Sequence, residues 1–170
     1  MTITVYFDSI DGCDEEIFLA ATARGLCFVS NNYQEMQDTL AKPGVSNLIL
    51  NEQQMKPYTT LFSQYFQGDN VDFTVLPLDI KGTNFQQLVW KALVQIPYGK
   101  LCSYSDIAEL INKPTAVRAV ANAIGKNPIL VMIPCHRVIG KNGQLTGFRN
   151  GLALKKQLLQ LEGSLTSNHS

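Results

Sequence analysis

A cysteine and a histidine stand side by side, as Cys135 and His136, directly after Pro134 and the apolar run of residues 129–133. An unbroken apolar run of this kind is typical of a segment that is buried on both sides. A thiolate is a strong nucleophile, and a nearby base or cation raises its population at neutral pH. Cys135, at the mouth of a buried segment, is therefore a candidate for covalent chemistry; the alternative is that it is simply a small buried hydrophobic residue, as most free cysteines are.

Adjacency in the sequence limits how His136 can assist Cys135. In an extended chain neighbouring side chains point to opposite faces, so the imidazole would reach the thiol only around a turn or through a bridging water. A third group normally orients such an imidazole. The second half of the chain contains three acidic residues, and two of them, Asp106 and Glu109, belong to a different predicted helix. Glu162 is therefore the candidate that holds His136.

The cysteine spacing gives no reason to expect a metal. The chain has four cysteines, without a C-x-x-C pair or another common zinc spacing. Two adjacent ligands such as Cys135 and His136 cannot easily share one tetrahedral ion. We expect free thiols in a reducing compartment, no metal and no cofactor.

Charge is distributed unevenly although the formal net charge is zero. Residues 1–82 carry 11 acidic and 4 basic side chains, a net charge of −7, whereas residues 83–170 carry 3 acidic and 10 basic ones, a net charge of +7. The contrast has two interpretations: the second half binds a polyanion, or two oppositely charged lobes attract each other.

Length and composition favour a globular protein in the cytoplasm. A chain of 170 residues that is 45% hydrophobic and 16% charged suits one domain or two small ones. No apolar stretch approaches the roughly 20 residues that span a bilayer. The first residues lack the basic region and the apolar run of a signal peptide. We expect a soluble monomer that makes no contact with a membrane.

The first half is predicted to be a small α/β unit with a supporting role. Strands are predicted at residues 2–7, 16–23, 26–30, 47–50 and 71–76. Helices are predicted at residues 33–41, stopped by residues 42–44, and at residues 54–66. Pro57 would lie near the first turn of the second of these helices. Residues 77–82 then form a connector.

The second half has the spacing of a mostly helical unit. Helices are predicted over residues 85–96, 104–111, 116–124 and 151–161. The expected caps are Thr83 or Asn84 for the first helix, Ser103 for the second and Thr115 for the third. Asp106 follows Ser103 at the spacing of a capping box.

The second and third of these helices are short and are joined by a tight break, which is the layout of a helix-turn-helix. Arg118 and Asn122, four residues apart, share one face of the third helix. Ala119 beside them is small enough for close approach to a nucleic-acid backbone. Together with the charge of +7, this pattern favours DNA binding. The opposite, inward face would consist of Val117, Val120, Ala121 and Ile124.

Around Cys135, residues 133–139 resemble the methylated-DNA–protein-cysteine methyltransferases, also called O6-alkylguanine-DNA alkyltransferases. The resemblance extends in order over residues 82–86, 90, 96–99, 103–104, 116–120, 125–128, 151–153 and 161–163. It is looser in the first half, in the hairpin of residues 19–26. The family resemblance implies an α/β (α+β) fold: a small N-terminal antiparallel sheet with helices, similar to ribonuclease H, and a mostly helical C-terminal domain with a winged helix-turn-helix. We expect domains at residues 1–76 and 83–163, and a mobile tail at residues 164–170.

The resemblance also implies the reaction. Cys135 would attack the alkyl carbon of O6-alkylguanine, and of O4-alkylthymine, in double-stranded DNA, and it would keep the alkyl group irreversibly. His136 would take the thiol proton through a water while Glu162 holds the imidazole. Tyr104 would supply a proton to the departing guanine. Because the target atom is inside the stacked duplex, the nucleotide must first be flipped out.

Further roles follow from the same resemblance. Arg118 would fill the vacated stack as an arginine finger, and Thr115, Ala119 and Asn122 would contact the DNA beside it. Asn127 would tie the helix-turn-helix to the active-site segment. The remaining expected pocket residues are the backbone at Val138 and the loop residues Phe148, Arg149 and Asn150. Some relatives bind zinc in the first half, but the ligand spacing for it is missing here.

Asn150 departs from the glycine of several family members, which predicts a narrower pocket that favours methyl over large alkyl groups.

Three other functions compete with alkyl transfer. A lesion-binding relative without transfer activity would lack the acceptor cysteine that this chain has. A cysteine hydrolase would need a direct thiol–imidazole contact and an oxyanion hole. A transcription regulator would normally bring a dimerisation element. The expected location is the cytoplasm with its nucleoid, or the nucleus of a eukaryote.

Overall fold

The computed structural model describes residues 3–42 and 44–165 of the chain. It divides the chain into two compact units, Met1–Lys81 and Gly82–Ser170. Three sequence predictions reach beyond the described residues: the start of the first strand at Thr2, the helix stop at Pro43, and the tail from residue 166 onward. Among the described residues, no helix combines the length and the apolar character needed to cross a bilayer.

The first unit is built on a four-stranded sheet. Its strands are β1 (Ile3–Gly12), β2 (Glu15–Thr22), β3 (Gly25–Ser30) and β4 (Val45–Leu50), in the order β3-β2-β1-β4. The first three are antiparallel, as predicted, but β4 runs parallel to β1. Helix α1 (Tyr33–Leu40) between β3 and β4 explains this correction, because a helical crossover returns the chain to the same end of the sheet.

Two further predictions in this unit are wrong in detail. Helix α2 (Glu52–Phe66) begins two residues earlier than expected, capped by Asn51, so that Pro57 lies inside the helix. The strand predicted at residues 71–76 is a short 3-10 helix, Phe73–Val75, capped by the side chain of Asp72. The apolar side chain of Phe73 packs on aromatic rings of α2. The apolar pattern of this segment therefore reflects packing on a helix and not a further strand of the sheet.

The second unit contains the four predicted helices, α3 (Asn84–Val94), α4 (Tyr104–Leu110), α5 (Val117–Gly125) and α6 (Leu152–Leu161). Ser103 forms the expected capping box with Asp106, and Thr83, one of the two expected caps of α3, forms a capping box with Gln86 that was not predicted. Thr115 is not a cap: the N-cap of α5 is Ala116, and no side-chain hydrogen bond is made there. The helix therefore starts one residue later than the sequence predicted.

Helix α5 packs on α3 through an apolar face and one buried hydrogen bond. Its buried residues are Val120, Ala123 and Ile124. Trp90 of α3 donates from Nε1 to the carbonyl of Ala123 at 2.9 Å. Ala121, predicted to face inward, is exposed, because the contact with α3 rotates the buried face toward Ala123.

The apolar run of residues 129–133 is largely buried, as predicted, but it is not extended. Met132 donates its backbone N–H to the carbonyl of Leu130, and Val131 between them has a φ of 75°, which is a γ-turn. The next residues, Cys135–Arg137, form one turn of 3-10 helix and lead into β6 (Val138–Ile139), which pairs in parallel with β5 (Cys102–Ser103). The cysteine and histidine thus stand on a helical turn and not on an extended segment.

Candidate active site

Cys135 opens this 3-10 turn, and its thiol lies in the wall of a pocket of about 320 Å³. The pocket is lined by Tyr104, Ala121, Ile124, Gly125, Asn127, Cys135, Gly147, Phe148, Arg149 and Asn150. Its volume falls within the range of small-molecule sites. All of these residues belong to the second unit. The structure therefore brings the predicted nucleophile together with Tyr104, Asn127 and the predicted loop residues.

The thiol needs help to become a nucleophile. Burial raises the pKa of Cys135 above its ordinary value, and a hydrogen bond from Asn127 and the charges of Lys155 and Arg149 oppose this effect without cancelling it. The thiol is therefore protonated at neutral pH. A reaction at sulfur requires a base that removes the proton.

His136 is fully buried, and its imidazole is held by Glu162. Its Nε2 atom lies 2.7 Å from Oε2 of Glu162. Because the carboxylate accepts there, Nε2 carries the hydrogen and Nδ1 presents a lone pair. Nδ1 has no hydrogen-bond partner within residues 3–42 and 44–165. Burial lowers the pKa of His136, although Glu162 raises it, so the imidazole is neutral and can act as a base.

Asn127 connects the end of α5 to the reactive segment. Its Nδ2 atom donates to the carbonyl of Ile133 at 2.7 Å and to Sγ of Cys135 at 3.1 Å. Its Oδ1 atom accepts from the backbone N–H of Ile129 at 2.9 Å. One buried amide therefore fixes both ends of the apolar turn and contacts the thiol directly.

The other side of the pocket is formed by the start of α4 and by the loop before α6. Tyr104 is the first residue of α4, and its hydroxyl accepts a long hydrogen bond of 3.5 Å from Oγ1 of Thr146. Arg149 donates from Nη2 to the carbonyl of Asn127 at 2.7 Å. Phe148 and Asn150 line the pocket on either side of this arginine. The loop is thus attached to the residue that also contacts the thiol.

The predicted DNA-contacting residues form a separate group. Thr115, Arg118, Ala119 and Asn122 are exposed at and before α5, and they are not among the residues that line the pocket.

The backbone carbonyl of Val138, predicted to belong to the pocket, accepts a hydrogen bond from Nζ of Lys155 at 2.6 Å. Within the described part of the chain, no cluster of three His, Cys, Asp or Glu side chains could hold a metal ion.

Two buried cations at the site were missed by the sequence reasoning. Arg137 is bound to both carboxylate oxygens of Glu162, at 2.7 and 3.0 Å. Lys155 is fully buried in α6 and donates to the carbonyls of Val138 and Thr146. Burial lowers the pKa of this lysine to about 8. The burial of Lys155 could have been predicted from its position, because it lies three residues before Leu158 and therefore on the buried face of the helix.

Comparisons with known proteins cover both units. A family model described as "6-O-methylguanine DNA methyltransferase, ribonuclease-like domain" matches residues 5–80, and one described as "6-O-methylguanine DNA methyltransferase, DNA binding domain" matches residues 84–164. The inducible methylated-DNA–protein-cysteine methyltransferase of Bacillus subtilis is 45% identical over 169 residues, covering 96% of this chain and 93% of that protein. The methylated-DNA–protein-cysteine methyltransferase of Methanosarcina acetivorans is 42% identical, covering 87% of this chain and 92% of that protein.

Solved structures give the same likeness. The crystal structure of O6-methylguanine methyltransferase from Mycobacterium tuberculosis superposes with a TM-score of 0.81 at 36% identity, covering 97% of this chain and 96% of that chain. A crystal structure of the M. tuberculosis protein in complex with DNA gives a TM-score of 0.80 at 37% identity, covering 94% and 93%. The predicted fold class, including the ribonuclease-like first half, is confirmed.

Proposed function

The chain belongs to the methylated-DNA–protein-cysteine methyltransferase family, and on this premise we propose that Cys135 is the residue that accepts the alkyl group. The protein repairs DNA by direct reversal, moving an alkyl group from DNA to a cysteine of its own chain. The observation that carries the assignment is the thiol of Cys135 in the wall of a pocket, hydrogen-bonded to Asn127. The neighbouring His136–Glu162 pair supplies the base that such a buried thiol requires.

The proposed substrate is O6-alkylguanine in double-stranded DNA, with O4-alkylthymine as a second one. The printed names of the relatives specify methylated DNA or O6-methylguanine. A pocket of about 320 Å³ is large enough to hold one base but not a base pair within a duplex. The damaged nucleotide therefore has to leave the stack and enter the pocket.

The transfer proceeds by displacement at the alkyl carbon. Nδ1 of His136 takes the thiol proton through a water while Glu162 holds Nε2. The sulfur of Cys135 forms a bond to the alkyl carbon, the bond from that carbon to O6 breaks, and the electron pair leaves with guanine. Tyr104, which lines the pocket, donates a proton to the departing base. A thioether has no easy route back to the thiol, so each molecule acts once.

The exposed side of α5 is the proposed DNA-binding surface. Arg118, Ala119 and Asn122 lie there, and Thr115 lies just before the helix. The second half of the chain carries the net charge of +7 that suits contact with phosphates. Arg118 would enter the stack that the flipped nucleotide leaves. We propose that the protein acts in the cytoplasm as a monomer.

Intact-mass measurement tests the function. The protein is mixed with a duplex that carries a single O6-methylguanine, and the modified peptide is then mapped. We expect a mass gain of one methyl group that saturates at one per molecule and lies on the peptide containing Cys135. The same duplex with unmodified guanine is the control and leaves the mass unchanged. An unchanged mass despite tight lesion binding would instead indicate a damage-recognition protein without transfer activity.

Asn150 sets the expected size limit of the alkyl group. Its position in the pocket wall predicts that methyl is transferred faster than benzyl, because a side chain there leaves less room than glycine does. Asn150→Gly should raise the rate with O6-benzylguanine by about tenfold relative to the methyl substrate. Single-turnover rates with both substrates measure this ratio. Equal rates with benzyl and methyl in the unmodified protein would contradict the prediction.

A further inference from the structure

Arg137 is a buried cation to which the proposed reaction assigns no role. The residue is 9% exposed, and its guanidinium makes three hydrogen bonds. Nε donates to Oε1 of Glu162 at 2.7 Å, Nη2 to Oε2 of Glu162 at 3.0 Å, and Nη1 to the carbonyl of Ile96 at 2.6 Å. The group also lies 5.8 Å from the ring centroid of Tyr98. This paired geometry fixes the plane of the carboxylate.

The imidazole of His136 shares the same carboxylate. Oε2 of Glu162 accepts from both Nη2 of Arg137 and Nε2 of His136. The carboxylate therefore accepts hydrogen bonds from an arginine and a histidine that are neighbours in the sequence. Any change in its charge or orientation acts directly on the imidazole.

The charges of the three groups balance only when the imidazole is neutral. Arg137 contributes one positive charge and Glu162 one negative charge, so the buried group is neutral with an uncharged His136. Without the guanidinium, Glu162 and a neutral imidazole would leave one negative charge buried, which is strongly unfavourable. The pair would then take up a proton at neutral pH, whichever atom carries it. An imidazole or carboxylate in that state cannot accept the proton of Cys135.

Resting on the proposed role of Cys135 as acceptor, we propose that Arg137 is a positioning residue that fixes Glu162 and keeps the His136 imidazole neutral and ready to accept the thiol proton. The other charged group that acts on the imidazole is Lys155 of α6, which also disfavours its protonation. Lys155 donates to two backbone carbonyls and not to Glu162, so it does not neutralise the carboxylate. Arg137 combines a positive charge with direct contact to the carboxylate that His136 uses.

The experiment compares Arg137→Gln, which removes the charge, with Arg137→Lys, which keeps it. Single-turnover methyl transfer is measured as a function of pH on a duplex with one O6-methylguanine. For Arg137→Gln we expect the rising limb of the profile to move up by about one pH unit or more, which lowers the rate at neutral pH about tenfold. Arg137→Lys should keep the rising limb at the pH of the unmodified protein. A uniform loss of rate at every pH in both variants would overturn the proposal.

Nitrogen-15 NMR of the imidazole tests the same idea without any transfer reaction. The chain has a second histidine, His169, and His169→Gln leaves His136 as the single imidazole in the chain. Arg137→Gln should raise the titration midpoint of His136. The double variant Arg137→Gln/Glu162→Gln, which restores charge balance, should bring it back to the original midpoint or below. An unmoved midpoint in Arg137→Gln, or equal midpoints in the single and double variants, would overturn the proposal. If the variants show the expected titration midpoints but the unmodified protein transfers no methyl group, the proposed function is overturned instead.

Discussion

Cys135→Ala is expected to abolish methyl transfer and to leave binding of lesion-containing duplex intact. The substitution removes the only atom that forms a bond to the alkyl carbon, so the rate should fall by about 10⁴-fold or more, to background. The pocket wall loses little, because the amide of Asn127 still donates to the carbonyl of Ile133. Intact mass measures transfer, and titration of a labelled duplex measures binding.

Cys102→Ala is the matched control for this prediction. Cys102 is the other cysteine of the same unit and is partly buried; it lies in β5, the strand paired with β6, and it does not line the pocket. Its removal should leave the transfer rate within about twofold of the original, as expected for a position without a role in the chemistry. A methyl group found on the Cys135→Ala protein, at Cys102 or elsewhere, would contradict the assignment of the acceptor.

Glu162→Ala is expected to be the most destabilising single change at the site. The carboxylate is the shared partner of Arg137 and His136, and its removal leaves a buried guanidinium without a counterion. Breaking a buried pair in this way lowers the free energy of unfolding by about 3–5 kcal/mol. Urea unfolding followed by circular dichroism measures the change.

Glu109→Ala provides the comparison, because Glu109 is an exposed acidic residue of α4 in the same unit. Its removal should change the free energy of unfolding by less than about 0.5 kcal/mol. A loss below about 1 kcal/mol for Glu162→Ala would mean that the ion pair with Arg137 contributes little to stability, as exposed pairs do.

Local signals in the sequence predicted most of the second unit. Thr83 and Ser103 are followed three residues later by side chains that complete capping boxes, and both boxes are present. Such signals are short-range and depend only on neighbours along the chain. The prediction of a strand at residues 71–76 was wrong because the conformation of this segment depends on contacts between the ring of Phe73 and α2, which local signals do not show. The direction of β4 likewise depends on partners far away in the sequence.

The site was predicted less completely than the fold. The residue chemistry indicated Cys135, His136 and Glu162, and the family resemblance added Asn127. In the structure Asn127 contacts Cys135, and Glu162 contacts His136. Arg137 was overlooked although it follows His136 directly, because it lies in a three-residue 3-10 helix, which is too short for a periodic pattern to mark its buried face. The burial of residues 129–133 was predicted, but the γ-turn at Val131 was not, because a run of apolar residues does not specify the backbone conformation.

The hydrogen bond between α3 and α5 gives the protein an optical probe of its own. Trp90 is the one tryptophan in the sequence, it is 3% exposed, and its indole N–H donates to the carbonyl of Ala123 in α5. Indole emission depends on the polarity and hydrogen bonding around the ring. A duplex that shifts α5 against α3 should change the colour and intensity of that emission, whereas a duplex that docks without moving the helix should leave them unchanged. Movement of α5 against α3 on DNA binding can therefore be followed in real time without attaching a label.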